Sequence, residues 1–156
     1  MSFAEFDLSE LVRSTIDELS PVVAQSGSEL GTAIEDNVRC VLDRLAVSQI
    51  IENLLTNAIK YGEGKPIEVR LSRDGDHIEI AVRDEGIGID EEEKKRIFEP
   101  FERAVRAVGQ PGFGIGLWVS RELAESMGGS IRIVSEKTLG SLFTVRLPLI
   151  GSTSNG

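Results

Sequence analysis

The sequence predicts an α/β (α+β) two-layer sandwich: a mixed β-sheet with helices packed on one face. Three observations lead there. Segments around 67–71, 78–82, 131–136 and 141–147 alternate apolar and polar residues, the period of a strand with one face in water. Longer segments around 8–23, 43–61 and 114–127 repeat apolar residues every three to four positions, the period of a helix with one buried stripe. The polar parity of the strands then leaves one sheet face free of helices.

In chain order, Leu8, Leu11, Val12, Thr15, Ile16, Leu19, Val22 and Val23 mark the first helix, with Asp7 or Ser9 as its cap. Pro21 is expected to interrupt or bend it near its end. Gln25 to Ser28 is a loop. Glu29–Glu35 and Val38–Leu42 read as short strands joined in a hairpin around Asp36-Asn37. Asp43–Tyr61 is a helix that the Gly62-Glu63-Gly64-Lys65-Pro66 run ends.

Ile67, Val69 and Leu71 alternate with polar residues, as do Ile78, Ile80 and Val82, with Arg73 to Asp76 as the hairpin loop between them. A glycine turn, Asp84-Glu85-Gly86-Ile87-Gly88-Ile89-Asp90, follows directly. Glu91–Phe98 is a short charged helix, and Pro100–Gly112, with two of the five prolines, is expected to be a mobile loop. Gly114–Met127 is a helix stopped by Gly128-Gly129, and Ile131–Glu136 and Ser141–Leu147 form the last strand pair. No repeat or internal boundary interrupts the pattern, so residues 1–150 are read as one domain and 151–156 as a flexible tail.

The chain has 156 residues, 40% hydrophobic and 28% charged, a composition ordinary for a globular domain with a real core. A net charge of −9 argues against a nucleic-acid-coating surface, so any anionic ligand must be held by local positive groups. The single cysteine, Cys40, has no internal disulfide partner and shares strand parity with Val38 and Leu42, the pattern of a buried core thiol. No apolar run approaches a membrane span and Met1-Ser2-Phe3 opens no signal peptide. The expectation is a cytoplasmic domain without direct membrane contact, which leaves room for a membrane anchor elsewhere in a longer parent.

The chemistry concentrates in three places. On the helix at 43–61, Gln49, Asn53, Asn57 and Lys60 fall within an arc of roughly 80°, opposite Ile51, Leu54, Leu55 and Ala58. Amides and one cation suit a metal ion and phosphate oxygens. Asp84 leaves a strand just before Gly86 and Gly88, where a carboxylate can accept from an amino group on a flat ring and glycines permit close backbone approach. Adenine offers that donor; guanine presents a carbonyl there, so the carboxylate selects adenine. The cluster Gly112-Phe113-Gly114-Ile115-Gly116-Leu117 opens a helix, whose free N–H groups favour phosphate. Its spacing is neither that of a dinucleotide fingerprint nor that of a P-loop. Each feature alone is also what a capped turn or a close-packed hinge looks like; their order along the chain is the stronger signal.

That order runs from Asn53-x-x-x-Asn57-x-x-Lys60-Tyr61 through Asp84-x-Gly86-x-Gly88 and Phe98-Glu99-Pro100-Phe101-Glu102-Arg103 to the glycine cluster and Gly140-Ser141-Leu142-Phe143-Thr144. It resembles the catalytic ATP-binding domain of sensor histidine kinases, a branch of the superfamily that includes DNA gyrase, the ninety-kilodalton heat-shock chaperones and the mismatch-repair protein MutL. The resemblance covers Phe6 to Pro148 and implies the Bergerat-type ATP-binding fold. It implies ATP or ADP and Mg²⁺ as ligands. Asn57 would be the side-chain ligand of Mg²⁺, Asn53 would orient phosphates or a metal-bound water, and Lys60 would meet phosphate charge. Tyr61 would pack near adenine or ribose, Asp84 would bind the adenine amino group, and Thr144 would share a water with it. Gly86, Gly88 and Ile89 would line the base pocket, and Gly112, Gly114, Ile115, Gly116 and Leu117 would close the phosphate end. Residues 101–111 would form the lid, with Arg103 and Arg106 near the γ-phosphate and Phe98 and Phe101 as its aromatic anchors, facing the partner domain.

One position bears on the reaction. The superfamily's ATPases carry a glutamate one helical turn before the metal-binding asparagine; this chain has Asn53 there, and an amide cannot take a proton from water at neutral pH. Glu52 lies about 100° away around the helix. The expected reaction is therefore transfer of the γ-phosphate to a histidine on a separate dimerisation and phosphoacceptor domain, with a response regulator downstream. The only histidine, His77, at the start of a predicted strand, matches no phosphoacceptor pattern. The isolated domain is expected to be a monomer. Departures are Glu85, where asparagine is common, and Gln110-Pro111, where a glycine pair often stands. Two other readings are an anti-sigma-type serine kinase and a nucleotide-binding interaction module without transfer activity.

Overall fold

The computed structural model describes residues 1–98 and 113–152. Its elements are β1 (Ala4–Asp7), α1 (Leu8–Gln25), β2 (Leu30–Ile34), β3 (Arg39–Leu42), α2 (Arg44–Tyr61), β4 (Ile67–Asp74), β5 (His77–Asp84), α3 (Glu91–Arg96), α4 (Phe113–Ser126), β6 (Ser130–Glu136) and β7 (Gly140–Pro148). The main sheet has five strands in the order β2-β4-β5-β7-β6. β2 runs parallel to β4 and the other pairs are antiparallel, so the sheet is mixed, as predicted.

Strand parity sorts the two faces. Ile67, Val69 and Leu71 of β4, Ile78, Ile80 and Val82 of β5, and Phe143, Val145 and Leu147 of β7 are buried and form the core face. α2 lies over β5 and against α1 and α4, with Ile50, Ile51, Leu54 and Leu55 fully buried. Each such side chain contributes about 1.5–3 kcal/mol of burial. The opposite face carries Glu68, Arg70, Glu79, Arg83, Arg132 and Arg146, with ion pairs such as Arg146 to Asp74 at 2.8 Å and Arg132 to Glu79 at 3.5 Å. Such exposed pairs add little stability, but they keep this face wet.

The helix starts follow the expected capping chemistry. Asp7 caps α1 by accepting from Glu10 N at 3.0 Å, so Asp7 rather than Ser9 is the cap. Asp43 caps α2 through Ala46 N and also accepts from Ser2 N at 2.9 Å; these bonds hold its carboxyl below the usual range. Asp90 caps α3 through Glu93 N. Pro21 does not end α1, which runs on to Gln25. Pro21 has no N–H to give the Asp17 carbonyl, and the Ser20 hydroxyl donates to that carbonyl instead, at 3.0 Å.

The first half of the chain departs from expectation in its pairing. β1 was not expected, and residues 29–42 do not form a hairpin. β2 joins the main sheet through β4, while β3 pairs antiparallel with β1 in a separate two-stranded sheet. The turn at Asp36-Asn37 exists, with Asn37 at φ 57°, but the strands it joins enter different sheets. Glu35 N continues the β4 ladder by donating to Leu71 O, whereas Leu8 N donates to Val38 O. Ser9 bridges the gap: its hydroxyl donates to Glu35 O at 2.6 Å and accepts from Val38 N at 3.0 Å. Cys40 is 3% exposed, and burial pushes its thiol up to about 12, the inert core thiol the sequence implies. The tail is tied down where it is described. Gly151 N donates to Val41 O and Ser152 N to Met127 O.

Because Ser9 is fully buried, its replacement by alanine leaves the Glu35 carbonyl and the Val38 N–H without this partner. Ser9→Ala is expected to lose about 1–3 kcal/mol of stability in urea unfolding, with an unchanged slope. A variant as stable as the parent would show that the bridge is dispensable.

Candidate functional site

Three chain ends converge above the core face: the last turn of α2, the end of β5 and the β6–β7 turn. Asp84, the last residue of β5, is 4% exposed. Its Oδ1 accepts from Gly86 N at 2.9 Å, which bends the chain sharply off the strand. Burial pushes the Asp84 carboxyl above its ordinary value, and backbone hydrogen bonds from Gly86 and Ser141 pull partly back.

The loop after Asp84 is stitched to its surroundings by backbone. Ile87 N donates to Tyr61 O at 3.2 Å, satisfying a carbonyl at the end of α2, and Thr138 N donates to Ile87 O at 2.6 Å. A Cβ at Gly86 would strike the Tyr61 carbonyl, and one at Gly88, which has φ +70°, would strike the Glu136 carbonyl. These glycines therefore let the loop close against protein backbone, rather than simply leaving room for a ring. Ile89 N donates to the Ser135 hydroxyl at 2.8 Å; that hydroxyl donates to Gly140 O at 2.8 Å and lies 2.7 Å from the Ser141 hydroxyl.

These elements enclose a cavity of about 220 Å³ lined by Asn57, Tyr61, Asp84, Ile87, Ile89 and Ser141, with Gly88, Asp90, Glu93 and Lys137 around it. Asp84 is its buried carboxylate, Ile87 and Ile89 supply apolar walls, and Asn57 brings an amide from α2. A flat ring with an exocyclic amino group fits this chemistry: apolar faces, and an acceptor at one edge. Asn57 is buried and Lys60, nearly one turn on, is exposed.

The structure thus gathers Asn57, Tyr61, Asp84, Gly88 and Ile89 around one cavity and places Gly86 in its loop. Asn53 is one turn back on α2, at the seam with α4, bonded to Gly116 and Ser120. Leu117 is buried in the core. Gly114 and Ile115 fall in the first turn of α4. Phe101, Arg103, Arg106, Gly112 and the lid segment 101–111 lie outside the described residues.

Thr144 does not line this cavity. It pairs with Ala81 and Arg132 on the open face of the sheet, away from Asp84. Ser141 stands directly across from Asp84 in register and lines the cavity. The signal was present in the sequence: Ser141 shares parity with core-facing Phe143, and Thr144 does not. Ser135, Ile87 and Lys137 were also missed. Ser135 reaches Ile89 only through the folded β6–β7 turn, and no local pattern announces it.

The comparisons agree with this geometry. The profile of the histidine kinase-, DNA gyrase B-, and HSP90-like ATPase family matches residues 42–151. The sensor histidine kinase RcsC of Escherichia coli K12 is 37% identical over 152 residues, 95% of this chain. The sensor protein TorS of the same organism is 36% identical over 151 residues, 96% of this chain. The chain spans 16% of the length of each of these curated relatives. Among solved structures, the catalytic domain of histidine kinase ThkA superposes with a TM-score of 0.85 at 27% identity, covering 96% of this chain and 97% of that one. Full-length ShkA in complex with AMPPNP gives a TM-score of 0.82 at 27% identity, covering 99% of this chain and 32% of that one. With most of its length matched by that profile and a buried carboxylate facing an α2 amide across one cavity, the chain belongs to the histidine kinase-, DNA gyrase B- and HSP90-like ATPase family.

Proposed function

We propose that this chain is the Mg-ATP-binding catalytic domain of a sensor histidine kinase, donating the γ-phosphate to a histidine on a separate dimerisation and phosphoacceptor domain. The observation that carries the proposal is Asp84: a buried carboxylate whose cavity, among the described residues, is lined by one cationic side chain, Lys137. Such a group is unfavourable for the apo fold unless a ligand uses it, and an adenine amino group is the matching donor. The Ser141 hydroxyl, which lines the same cavity, supports this reading as a partner for a water in that contact. The ShkA structure with AMPPNP and the kinase relatives support the same ligand class.

At the other end, Asn57 is the amide suited to hold Mg²⁺, a cation that keeps most of its waters and needs few protein ligands. Bound there, the cation would neutralise triphosphate charge. Lys60, exposed near the end of α2, would add a positive charge that the chain, at −9 overall, otherwise supplies sparingly. No carboxylate stands at position 53 to take a proton from water, which supports transfer to a protein acceptor over hydrolysis. Among the described residues no helix is long and apolar enough to cross a membrane. His77, beginning β5 opposite Asp74 and Pro148, lies outside the cavity lining and is no candidate acceptor. Partner domain and response regulator therefore belong to other chains or to other parts of a longer protein.

Asp84→Asn keeps an acceptor for Gly86 N but weakens the acceptor for adenine. It should weaken ADP or ATP binding about 10- to 100-fold in calorimetric titration. The apo fold should respond oppositely. An acid whose folded value is raised disfavours folding as pH climbs from its unfolded value through its folded one, so the charge at Asp84 destabilises the empty domain at neutral pH. Asp84→Asn should thus melt no lower than the parent at pH 7, and its advantage should vanish in acid. Nucleotide affinity of the parent should fall as pH drops through the raised Asp84 value. A parent that shows no heat and no saturation with either nucleotide would defeat the reading.

The acceptor is tested by transfer. Labelled γ-phosphate should reach a supplied histidine-bearing helical hairpin, with slow phosphate release and no stable label on the domain itself. Rapid phosphate release would point to a hydrolase, and acid-stable label on a serine of a partner to the anti-sigma-type kinase.

A further inference from the structure

The seam between α2 and α4 holds a small polar cluster in otherwise apolar surroundings. Asn53 Nδ2 donates to the Gly116 carbonyl at 3.2 Å and to the Ser120 hydroxyl at 3.0 Å, while Asn53 Oδ1 accepts from Gln49 Nε2 at 3.0 Å. A primary amide has two N–H donors and two acceptor lone pairs on its oxygen. Both donors are consumed inside the protein. The Gly116 carbonyl can only accept, so turning the amide over would set oxygen against oxygen. One lone pair of Oδ1 remains beyond the Gln49 contact.

Ser120 is otherwise unexplained. It is 0% exposed, on the helix face that also buries Leu117 and Ala124. A hydroxyl buried there is unfavourable unless it is hydrogen-bonded, and alanine would fit the stripe better. Its bond to Asn53 is the reason for a hydroxyl at this position.

We propose that Ser120 is a positioning residue. Together with the Gly116 carbonyl, it holds Asn53 with its oxygen, and not its nitrogen, available to the triphosphate end. Oriented so, Asn53 recognises a divalent cation or a water carried by one. It is not a donor to phosphate oxygen. The assignment rests on the Mg-nucleotide reading of the site, and it divides the work on α2: Asn57 holds the cation, Asn53 meets it or one of its waters, and Lys60 reads phosphate charge.

The test measures the affinity of the domain for a non-hydrolysable ATP analogue, in Mg²⁺ and in EDTA. The unmodified protein should bind more tightly with Mg²⁺. Ser120→Ala should weaken binding in Mg²⁺ about 5- to 10-fold and leave affinity in EDTA within about 2-fold. Ser120→Thr, which keeps the hydroxyl, should retain the parent's Mg²⁺ dependence. Alanine is a strong helix former, so Ser120→Ala should melt within a few degrees of the parent. Equal losses in Mg²⁺ and EDTA, no loss in either, or a threonine variant as impaired as the alanine one would each overturn the proposal. An unmodified protein that binds the analogue in neither condition would instead overturn the nucleotide reading on which it rests.

Discussion

The site depends on a carboxylate that the fold keeps out of water. Asp84 sits where β5 leaves the sheet, between β4 and β7, with Ser141 directly opposite. To hold it there, the loop that follows must turn back at once and pass within backbone contact of Tyr61 and Glu136. Only glycine tolerates both approaches. The end of α2, the β5 exit and the β6–β7 turn are thereby joined by backbone contacts around the Asp84 side of the cavity. Beyond Asn57, α2 meets α4 through buried apolar side chains such as Leu117 and through the Asn53 hydrogen bonds to Gly116 and Ser120.

How much of this was legible in the sequence varies with the range of the interaction. β4, β5 and β7 alternate cleanly because one face is wet and the other is core, so their existence and parity follow from composition alone. α1, α2 and α4 were equally readable from their apolar stripes. β1 and the destination of β2 were not. Ala4–Asp7 is too short to carry a period, and β2 chooses a parallel neighbour far along the chain over the adjacent turn. The nearby Asp36-Asn37 turn has hairpin chemistry, but its strands enter different sheets and the turn is tied to α1 by Ser9, which bonds Glu35 and Val38. At the site, Asp84 and Asn57 were readable because their motifs are contiguous. Strand parity puts Ser141, and not Thr144, on the Asp84 side of the sheet. Ser135 was not within reach, because its role arises from a tertiary contact with Ile89.

The α2–α4 seam also bears on why position 53 carries an amide. A glutamate there would bring acceptor oxygens toward the Gly116 carbonyl, where Asn53 now offers a donor. α4 would lose an anchor, or shift. An amide at position 53 thus fits the packing of this seam. A carboxylate at position 53 would therefore call for a compensating shift in the first turns of α4.

Cys40 carries a practical consequence. Its sulfur is shut inside the β1–β3 layer and its thiolate is inaccessible at ordinary pH. Since it is the only cysteine in the chain, the native domain is in effect silent to maleimide and nitroxide reagents. A cysteine introduced on the exposed side of α4, beside Arg121 or Glu122, would report alone, with no cysteine-free background to build first. The domain comes ready for distance measurements by fluorescence or spin labelling.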